Sequence, residues 1–198
     1  MENSLFDLSG RRKYLVARER LAFATAALRQ DRLAAGFCLT LAVIGARISE
    51  VLALTPDRID ASNGAIIFET LKRRQCGVFR AVPVPRRLQL LLAQTNHPPT
   101  QRIWPWCRTT AWKVVKSVMR DAKIAEALCQ PKALRHAFAI EAGQQGVPLN
   151  IIQRWLGHAR IETTAIYASA LGREERRLAQ RAWRSVELVM PLERPGEG

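Results

Sequence analysis

Cysteine and histidine are scarce in this 198-residue chain, which has four cysteines and three histidines. The cysteines lie far apart in the sequence, and none of them forms a pair with the short spacing of metal ligands. The histidines form no His-x-x-x-His pair. These absences argue against a zinc site and against a disulfide framework, so the sequence predicts no metal, no cofactor and a reducing compartment.

Long apolar runs are also lacking, although 48% of the residues are hydrophobic and supply a core. No window holds 18 consecutive apolar residues, so no membrane-spanning helix is predicted. The first ten residues include Glu2 and Asp7 and contain no apolar segment of the signal-peptide kind. We therefore predict a bacterial cytoplasmic protein with no membrane partner.

Acidic residues are outnumbered almost two to one. Lys and Arg together number 31 against 17 for Asp and Glu, which gives a net charge of +14 and a pI near 10.9. A globular chain this basic usually binds a polyanion, and nucleic acid is the first candidate. General adhesion to anions is the alternative that charge alone leaves open.

The apolar periodicity predicts a mainly α fold with one small antiparallel β-sheet, which is the α+β class. Asn63-Gly64 is a hairpin signal, and strands are predicted over 65–69 and 79–84. Asp31 is expected to cap the second helix, and Thr109 or Thr110 the helix that runs to Ala122. A helix opened by Thr163-Thr164 is expected to carry Tyr167. The second helix is predicted over 33–44, and the remaining helices are predicted over 16–29, 47–54, 86–93, 131–144, 149–156 and 172–189.

Three segments, taken in order, resemble the motifs of the tyrosine recombinase (phage integrase) family. They are Gly45–Leu54, Pro131–Ala139, and Leu156-Gly157-His158 followed by Thr163–Ala168. The resemblance runs from about residue 14 to residue 172 and implies an integrase-like catalytic domain. It assigns the catalytic residues Arg47, Lys72, Lys132, Arg135, His158 and the nucleophile Tyr167, with Glu50 supporting Arg47.

The chemistry that the resemblance implies is cleavage of a DNA phosphodiester by a tyrosine hydroxyl. A 3′-phosphotyrosyl bond and a free 5′-hydroxyl result, and the stored bond energy permits rejoining without ATP. Arg47 and Arg135 would hold the non-bridging oxygens with planar, bidentate donors, and His158 would donate to one of them. Tyr14 is the only other tyrosine, and it lies far from the motifs in the sequence.

The hairpin between the two predicted strands carries Lys72, Arg73 and Arg74. The resemblance makes Lys72 the acid that protonates the leaving 5′-oxygen, and arginine holds its proton too tightly for that role. The alternative is that all three residues only contact the DNA backbone.

The second motif contains two further groups that could handle a proton. Lys132 stands where many members of the family have His, and an ammonium is a poor base unless its pKa is lowered. The sequence therefore leaves open whether Lys132 is a base or only binds phosphate. His136 follows the second arginine and is interpreted as structural. Glu50, one helical turn from Arg47, either orients that guanidinium or forms an ordinary surface pair.

Three regions are predicted: a basic N-terminal arm over 1–13, the catalytic domain over 14–172, and a C-terminal helix and tail over 173–198. The helix carries an apolar stripe that either folds back on its own domain or docks on a neighbouring protomer. The resemblance implies a tetramer on double-stranded DNA, a monomer or weak dimer when free, nucleoid association and accessory DNA-bending proteins. The expected DNA-contacting residues outside the catalytic set are Arg11, Arg12, Lys13, Arg73 and Arg74.

Two other functions share parts of this pattern. Type IB topoisomerases use the same residue types, although the Leu-Gly-His and Thr-Thr-x-x-Tyr segments favour a recombinase. A non-catalytic DNA-binding accessory factor would not need every chemical position to be filled. Only about 45 residues precede Arg47, so the chain is expected to be a catalytic domain alone, either as a natural short protein or as a fragment.

Overall fold

The fold was analysed in a computed structural model, which describes residues 4–70, 77–95, 97–167 and 179–180. Within these ranges the chain is mainly helical, with a single three-stranded sheet in its first half. The helices are α1 (Ala17–Ala27), α2 (Arg32–Ile44), α3 (Ile48–Leu52), α4 (Arg86–Ala93), α5 (Arg108–Asp121), α6 (Pro131–Gln144), α7 (Leu149–Leu156) and α8 (Glu162–Ala165). The strands are β1 (Ile59–Asp60), β2 (Ala65–Glu69) and β3 (Phe79–Pro83).

Helix α2 begins and ends where its sequence signals predict. The side chain of Asp31 accepts hydrogen bonds from the backbone N–H groups of Leu33 and Ala34, which satisfies two free donors of the first turn. Gly45 ends the helix in a left-handed conformation, with φ at 66°. A β-carbon at Gly45 would lie 2.5 Å from Phe138, so only glycine fits this turn.

Helix α5 begins earlier than the sequence suggested. Cys107 is its N-cap, and the sulfur accepts a hydrogen bond from the backbone N–H of Thr110. The prediction that Thr109 or Thr110 caps this helix was wrong, because both threonines already lie in its first turn. Cys107 was overlooked because cysteine is a much rarer cap than threonine.

The sheet is antiparallel in the order β1-β2-β3, and β2 pairs with β3 from Ala65 opposite Pro83 to Glu69 opposite Phe79. This confirms the predicted hairpin. The two-residue strand β1 was not predicted, since so short a strand has no detectable period. The connection over 71–76, with Lys72, Arg73 and Arg74, lies outside the described residues.

The main core surrounds α2, which packs against α1, α4 and α6. Phe37 of this helix is fully buried and meets Trp104 and Trp106 edge to face. A second, smaller cluster joins α6, α7 and the turn after α8, and it contains Ile140, Leu156 and Tyr167. This smaller cluster fixes the position of the residue predicted to be the nucleophile.

Residues 4–13, which belong to the predicted basic arm, are attached to the domain. Leu5 is buried in the smaller cluster, and Phe6 forms a backbone bridge with Arg12. Both terminal nitrogens of the Arg12 guanidinium bond the Glu19 carboxylate at 2.6 Å. A single inserted leucine and one bidentate ion pair therefore attach this segment to the domain.

The predicted C-terminal helix lies outside the described residues, except for residues 179–180, which are helical. Among the described residues, no helix combines the length and the apolar character needed to cross a membrane.

Candidate active site

Arg47 and Glu50 form the first part of the site at the start of α3. Arg47 is the N-cap, and the Glu50 carboxylate accepts hydrogen bonds from its backbone N–H and from its guanidinium, each at 2.8 Å. The Glu50 side chain has no exposed surface. The carboxylate is therefore buried, unlike that of an ordinary surface i,i+3 pair, whereas the Arg47 side chain is 22% exposed. The bond to Glu50 fixes the direction of the Arg47 guanidinium.

Arg80 is a member of this network that the sequence analysis missed. It lies on β3 and donates to both carboxylate oxygens of Glu50, at 3.3 and 2.8 Å. Burial by itself raises the pKa of Glu50, but the charges and hydrogen bonds of Arg80 and Arg47 outweigh it and hold this pKa below its usual value. Side chains alternate between the two faces of a strand, so Arg80 lies on the same face as Val82. A charged residue on that apolar face was the sequence feature that could have indicated a buried arginine.

Arg80 also connects the sheet to the end of α7. Its Nε donates to the Trp155 carbonyl at 2.9 Å, and a terminal nitrogen lies 3.2 Å from the Thr70 hydroxyl. Gly157 ends α7 with φ at 64°, and a β-carbon there would lie 3.0 Å from the Arg80 guanidinium. The glycine of the Leu-Gly-His motif thus makes room for a buried arginine.

Arg135 and Arg47 meet at the carboxyl ends of two helices. Arg135 donates to the carbonyls of Gly45 and Leu156 at 2.8 and 2.7 Å, while Arg47 approaches those of Leu156 and Gly157 at 3.5 Å. Carbonyls at helix C-termini carry partial negative charge and suit a guanidinium. Burial, followed by the charge of Arg47, lowers the pKa of Arg135 to about 9, so it is still protonated at neutral pH.

The charges in this network do not balance. Arg47 and Arg80 bond the Glu50 carboxylate, while Arg135 bonds backbone carbonyls and only senses the charge of Glu50. Three guanidinium groups thus face one buried carboxylate in the part of the network that the structure describes. A surplus of positive charge in a buried place is unfavourable unless an anion offsets it. The site is therefore electrostatically prepared for a phosphate.

His158 follows Gly157 and is buried beside the arginines. Its Nδ1 lies 2.9 Å from the Thr164 hydroxyl, and burial together with the charges of Arg135 and Arg47 lowers its pKa to about 3. The ring is therefore neutral at pH 7. When Nδ1 accepts from Thr164, the proton is on Nε2, which can then donate to a bound anion.

Tyr167 lies in the turn after α8, two residues beyond the end of the helix that was expected to carry it. Its ring is almost parallel to that of His158, with an interplanar angle of 14° and centroids 6.3 Å apart. Burial raises the pKa of the phenol, although Arg135 and Arg47 act in the opposite direction. The structure thus brings together four of the predicted catalytic residues: Arg47, Arg135, His158 and Tyr167.

Of the two lysines in the predicted set, Lys132 lies in the first turn of α6 and is exposed. Lys72 lies outside the described residues. His136, interpreted from the sequence as structural, instead places Nδ1 3.1 Å from the Tyr167 hydroxyl. The only sequence feature that could have predicted this contact is that His136 directly follows Arg135.

Replacing Arg80 by methionine is expected to destabilise the fold by about 3 kcal/mol, because Glu50 would keep a buried charge with one partner fewer. Arg58→Met is the matched control. Arg58 and Arg80 each lie 5.3 Å from a phenylalanine ring centroid, but the Arg58 pair with Glu69 is partly exposed. This second change should cost under about 1 kcal/mol. Equal losses in urea denaturation would contradict the assignment.

Comparison with known proteins agrees with this geometry. Residues 18–173 match the phage integrase family. The chain belongs to that family. Tyrosine recombinase XerA of Pyrococcus furiosus is 28% identical over 168 residues, which cover 77% of this chain and 54% of XerA. XerD of Haemophilus influenzae is 30% identical over 148 residues, which cover 69% and 50%. This integrase-family chain thus spans about half the length of these curated relatives.

Solved structures confirm the predicted fold class. The crystal structure of XerA recombinase aligns with a TM-score of 0.71 at 22% identity, covering 86% of this integrase-family chain and 65% of that chain. The catalytic domain of bacteriophage HP1 integrase aligns with a TM-score of 0.58 at 20% identity, covering 93% and 98%. The second alignment extends over nearly all of that solved domain, so the two chains share the same fold.

Proposed function

We propose that this chain is the catalytic domain of a site-specific DNA recombinase that cleaves and rejoins DNA through a 3′-phosphotyrosyl intermediate. The observation that carries the proposal is the convergence of a buried tyrosine hydroxyl with two arginines and a neutral histidine. Arg135 and Arg47 are both close enough to affect the pKa of Tyr167, and His158 stacks on its ring. A phosphate held by these groups would lie within reach of the hydroxyl.

The proposed reaction assigns one task to each buried group. The Tyr167 oxygen bonds to phosphorus as the bond from phosphorus to the 5′-oxygen breaks, and charge accumulates on the non-bridging oxygens. Arg47 and Arg135 neutralise that charge, and Nε2 of His158 donates a hydrogen bond to it. Removing one such donor typically costs about 10²- to 10³-fold in rate.

Lys72 is proposed to protonate the leaving 5′-oxygen. Lys72→Ala should slow cleavage of a normal phosphodiester by about 10²-fold or more. A substrate with sulfur at the 5′-bridging position should be cleaved almost as fast as by the unmodified protein, because a thiolate leaves without a proton. Single-turnover rates on both substrates test this. Arg73→Ala should show no sulfur-specific rescue, and equal losses for Lys72→Ala on both substrates would reassign it to DNA binding.

Double-stranded DNA is the proposed partner. Solved relatives include XerH bound to its difH substrate and the Tn1549 transposon integrase bound to transposon right-end DNA. In this chain Arg11 and Lys13 are proposed to contact phosphates, together with Arg73 and Arg74. Arg11 forms only an exposed pair with Asp7, which a phosphate can displace at little cost, whereas Arg12 is held by Glu19 and contributes less.

The active assembly is proposed to be a tetramer on two duplexes, formed from protomers that are monomers or weak dimers when free. Residues 173–198 would dock on a neighbouring protomer, and accessory DNA-bending proteins would assist the arrangement. The proposed place of action is the bacterial cytoplasm, at the nucleoid, where the proposed DNA substrate lies.

The proposal is tested by trapping the covalent intermediate on DNA of unspecified sequence. The substrate is a pool of randomised duplexes, each with a nick near its centre. After cleavage beside the nick, the short strand with the 5′-hydroxyl dissociates, so the tyrosyl–DNA bond cannot be reversed. DNA that stays attached to the protein under denaturing conditions is then sequenced. We expect a single enriched site, and two copies of it should undergo strand exchange. Relaxation of plasmid DNA without the site would indicate a topoisomerase, and absence of any adduct would indicate an accessory factor.

A further inference from the structure

The Tyr167 hydroxyl has a single hydrogen-bond partner among the described residues, and it is His136. Nδ1 of His136 lies 3.1 Å from the phenolic oxygen, and both side chains are buried. The two rings are tilted by 54°, with centroids 5.7 Å apart, so they do not stack face to face. The contact is a hydrogen bond between a ring nitrogen and the attacking atom.

The His136 ring is held in its neutral form. Burial, then the charges of Lys132, Arg135 and Lys13, lowers its pKa to about 4. Its Nε2 is buried and has no hydrogen-bond partner in the part of the chain that the structure describes. The Tyr167 hydroxyl at Nδ1 is therefore the one hydrogen-bond partner of this ring among the described residues.

A neutral imidazole has one nitrogen with a free lone pair. A phenol is the stronger donor of the two groups and an imidazole nitrogen the stronger acceptor. The favoured arrangement therefore has the Tyr167 hydroxyl donating to Nδ1, with the ring proton on Nε2. The lone pair points at the proton that must leave when the oxygen attacks phosphorus.

Lys132, the other candidate base in the second motif, is less suited to receive that proton. A lysine ammonium offers three donors and no acceptor, and the Lys132 side chain is exposed at the start of α6. His136 lies one helical turn further along the same helix. It follows Arg135 directly, and the carbonyls of Gly45 and Leu156 hold that arginine in place.

We propose that His136 is the proton acceptor for Tyr167, an inference that rests on the recombinase function proposed above. In the forward step the Tyr167 oxygen bonds to phosphorus, and its proton moves to Nδ1 of His136. The bond from phosphorus to the 5′-oxygen breaks, and that oxygen takes a proton from the acid, proposed to be Lys72. In the reverse step Nδ1 returns the proton to Tyr167, so the reaction needs no other co-reactant.

Bound phosphate makes His136 a better base than it is in the free protein. The cations facing it are Lys132 and Arg135 on its own helix and Lys13 from the N-terminal segment, while neutral His158 lies across Tyr167. A phosphate bound to the arginines offsets part of this positive charge and so raises the proton affinity of the ring.

The test compares His136→Asn with the unmodified protein on the trapped substrate. Asparagine can accept the phenol hydrogen bond near the position of Nδ1, but it cannot take up the proton. We expect the single-turnover rate of adduct formation to fall by about 10²- to 10⁴-fold, with DNA affinity and thermal unfolding unchanged. The remaining rate should rise tenfold per pH unit, because the phenolate must then form without a base. His97→Asn, in the loop between α4 and α5, should behave like the unmodified protein.

The role of His136 alone would be overturned if the unmodified protein forms an adduct and His136→Asn forms it at a rate within about threefold at every pH. Unmodified protein that forms no adduct would instead overturn the recombinase function, and this inference with it. ¹⁵N NMR provides a measurement that does not depend on the variant folding, since the chain has only three histidines to assign. The His136 ring should be neutral with its proton on Nε2, and a proton on Nδ1 would contradict the proposal.

Discussion

Replacement of Tyr167 by phenylalanine is expected to abolish the covalent adduct while leaving DNA affinity unchanged. The substitution removes only the hydroxyl, and the ring keeps its place in the cluster with Ile140 and Leu156. His136 loses its one hydrogen bond to the phenol, which should cost about 1 kcal/mol of stability. Denaturing gels of the trapped reaction and a binding titration measure the two effects.

The chain supplies its own control for this change. Tyr14 is the only other tyrosine, and it packs edge to face against Phe6 outside the catalytic network. Tyr14→Phe should form the adduct at the normal rate. An adduct that persists in Tyr167→Phe and disappears in Tyr14→Phe would exchange the roles of the two residues.

Arg135→Lys should lower the rate of adduct formation by about 10²-fold or more, with DNA affinity changed only a few-fold. Lysine keeps the positive charge but loses the planar guanidinium that bonds the carbonyls of Gly45 and Leu156 and is proposed to hold the phosphate. The loss should therefore appear in the chemical step. Single-turnover kinetics at saturating protein isolates that step from binding.

Arg20→Lys is the matched control for this substitution. Arg20 is partly buried, donates twice to the backbone carbonyl of Ala42 and pairs with Glu141, but it lies outside the catalytic network. It should change stability without changing the rate on bound DNA. Equal rate losses in the two variants would mean that Arg135 acts through the fold and not on the phosphate.

The sequence predicted most of the helices because their limits have local causes. Asp31 and Gly45 fix the ends of α2, Pro131 begins α6, and Gly157 ends α7, as expected from each residue's own backbone chemistry. Interactions between segments that are distant in the sequence were harder to predict from it. Leu5 gives the short polar segment around it no periodic signal, yet it inserts into the cluster that contains Tyr167.

The same distinction applies to the candidate site. The resemblance named Arg47, Arg135, His158 and Tyr167, and the structure places them together. The resemblance did not name Arg80, whose partners are distant in sequence, and it did not reveal the contact between His136 and Tyr167. Both depend on how α6 and β3 pack against α7 and the turn after α8, and none of the three motifs records that packing.

The most direct test of the account is the chemical identity of the link between protein and DNA. Digestion of the trapped adduct with protease and nuclease, followed by mass spectrometry, locates both ends of the bond. We predict a nucleotide joined through its 3′-phosphate to the oxygen of Tyr167, with the released strand ending in a 5′-hydroxyl. A 5′-phosphate linkage, or attachment to any other residue, would contradict the account.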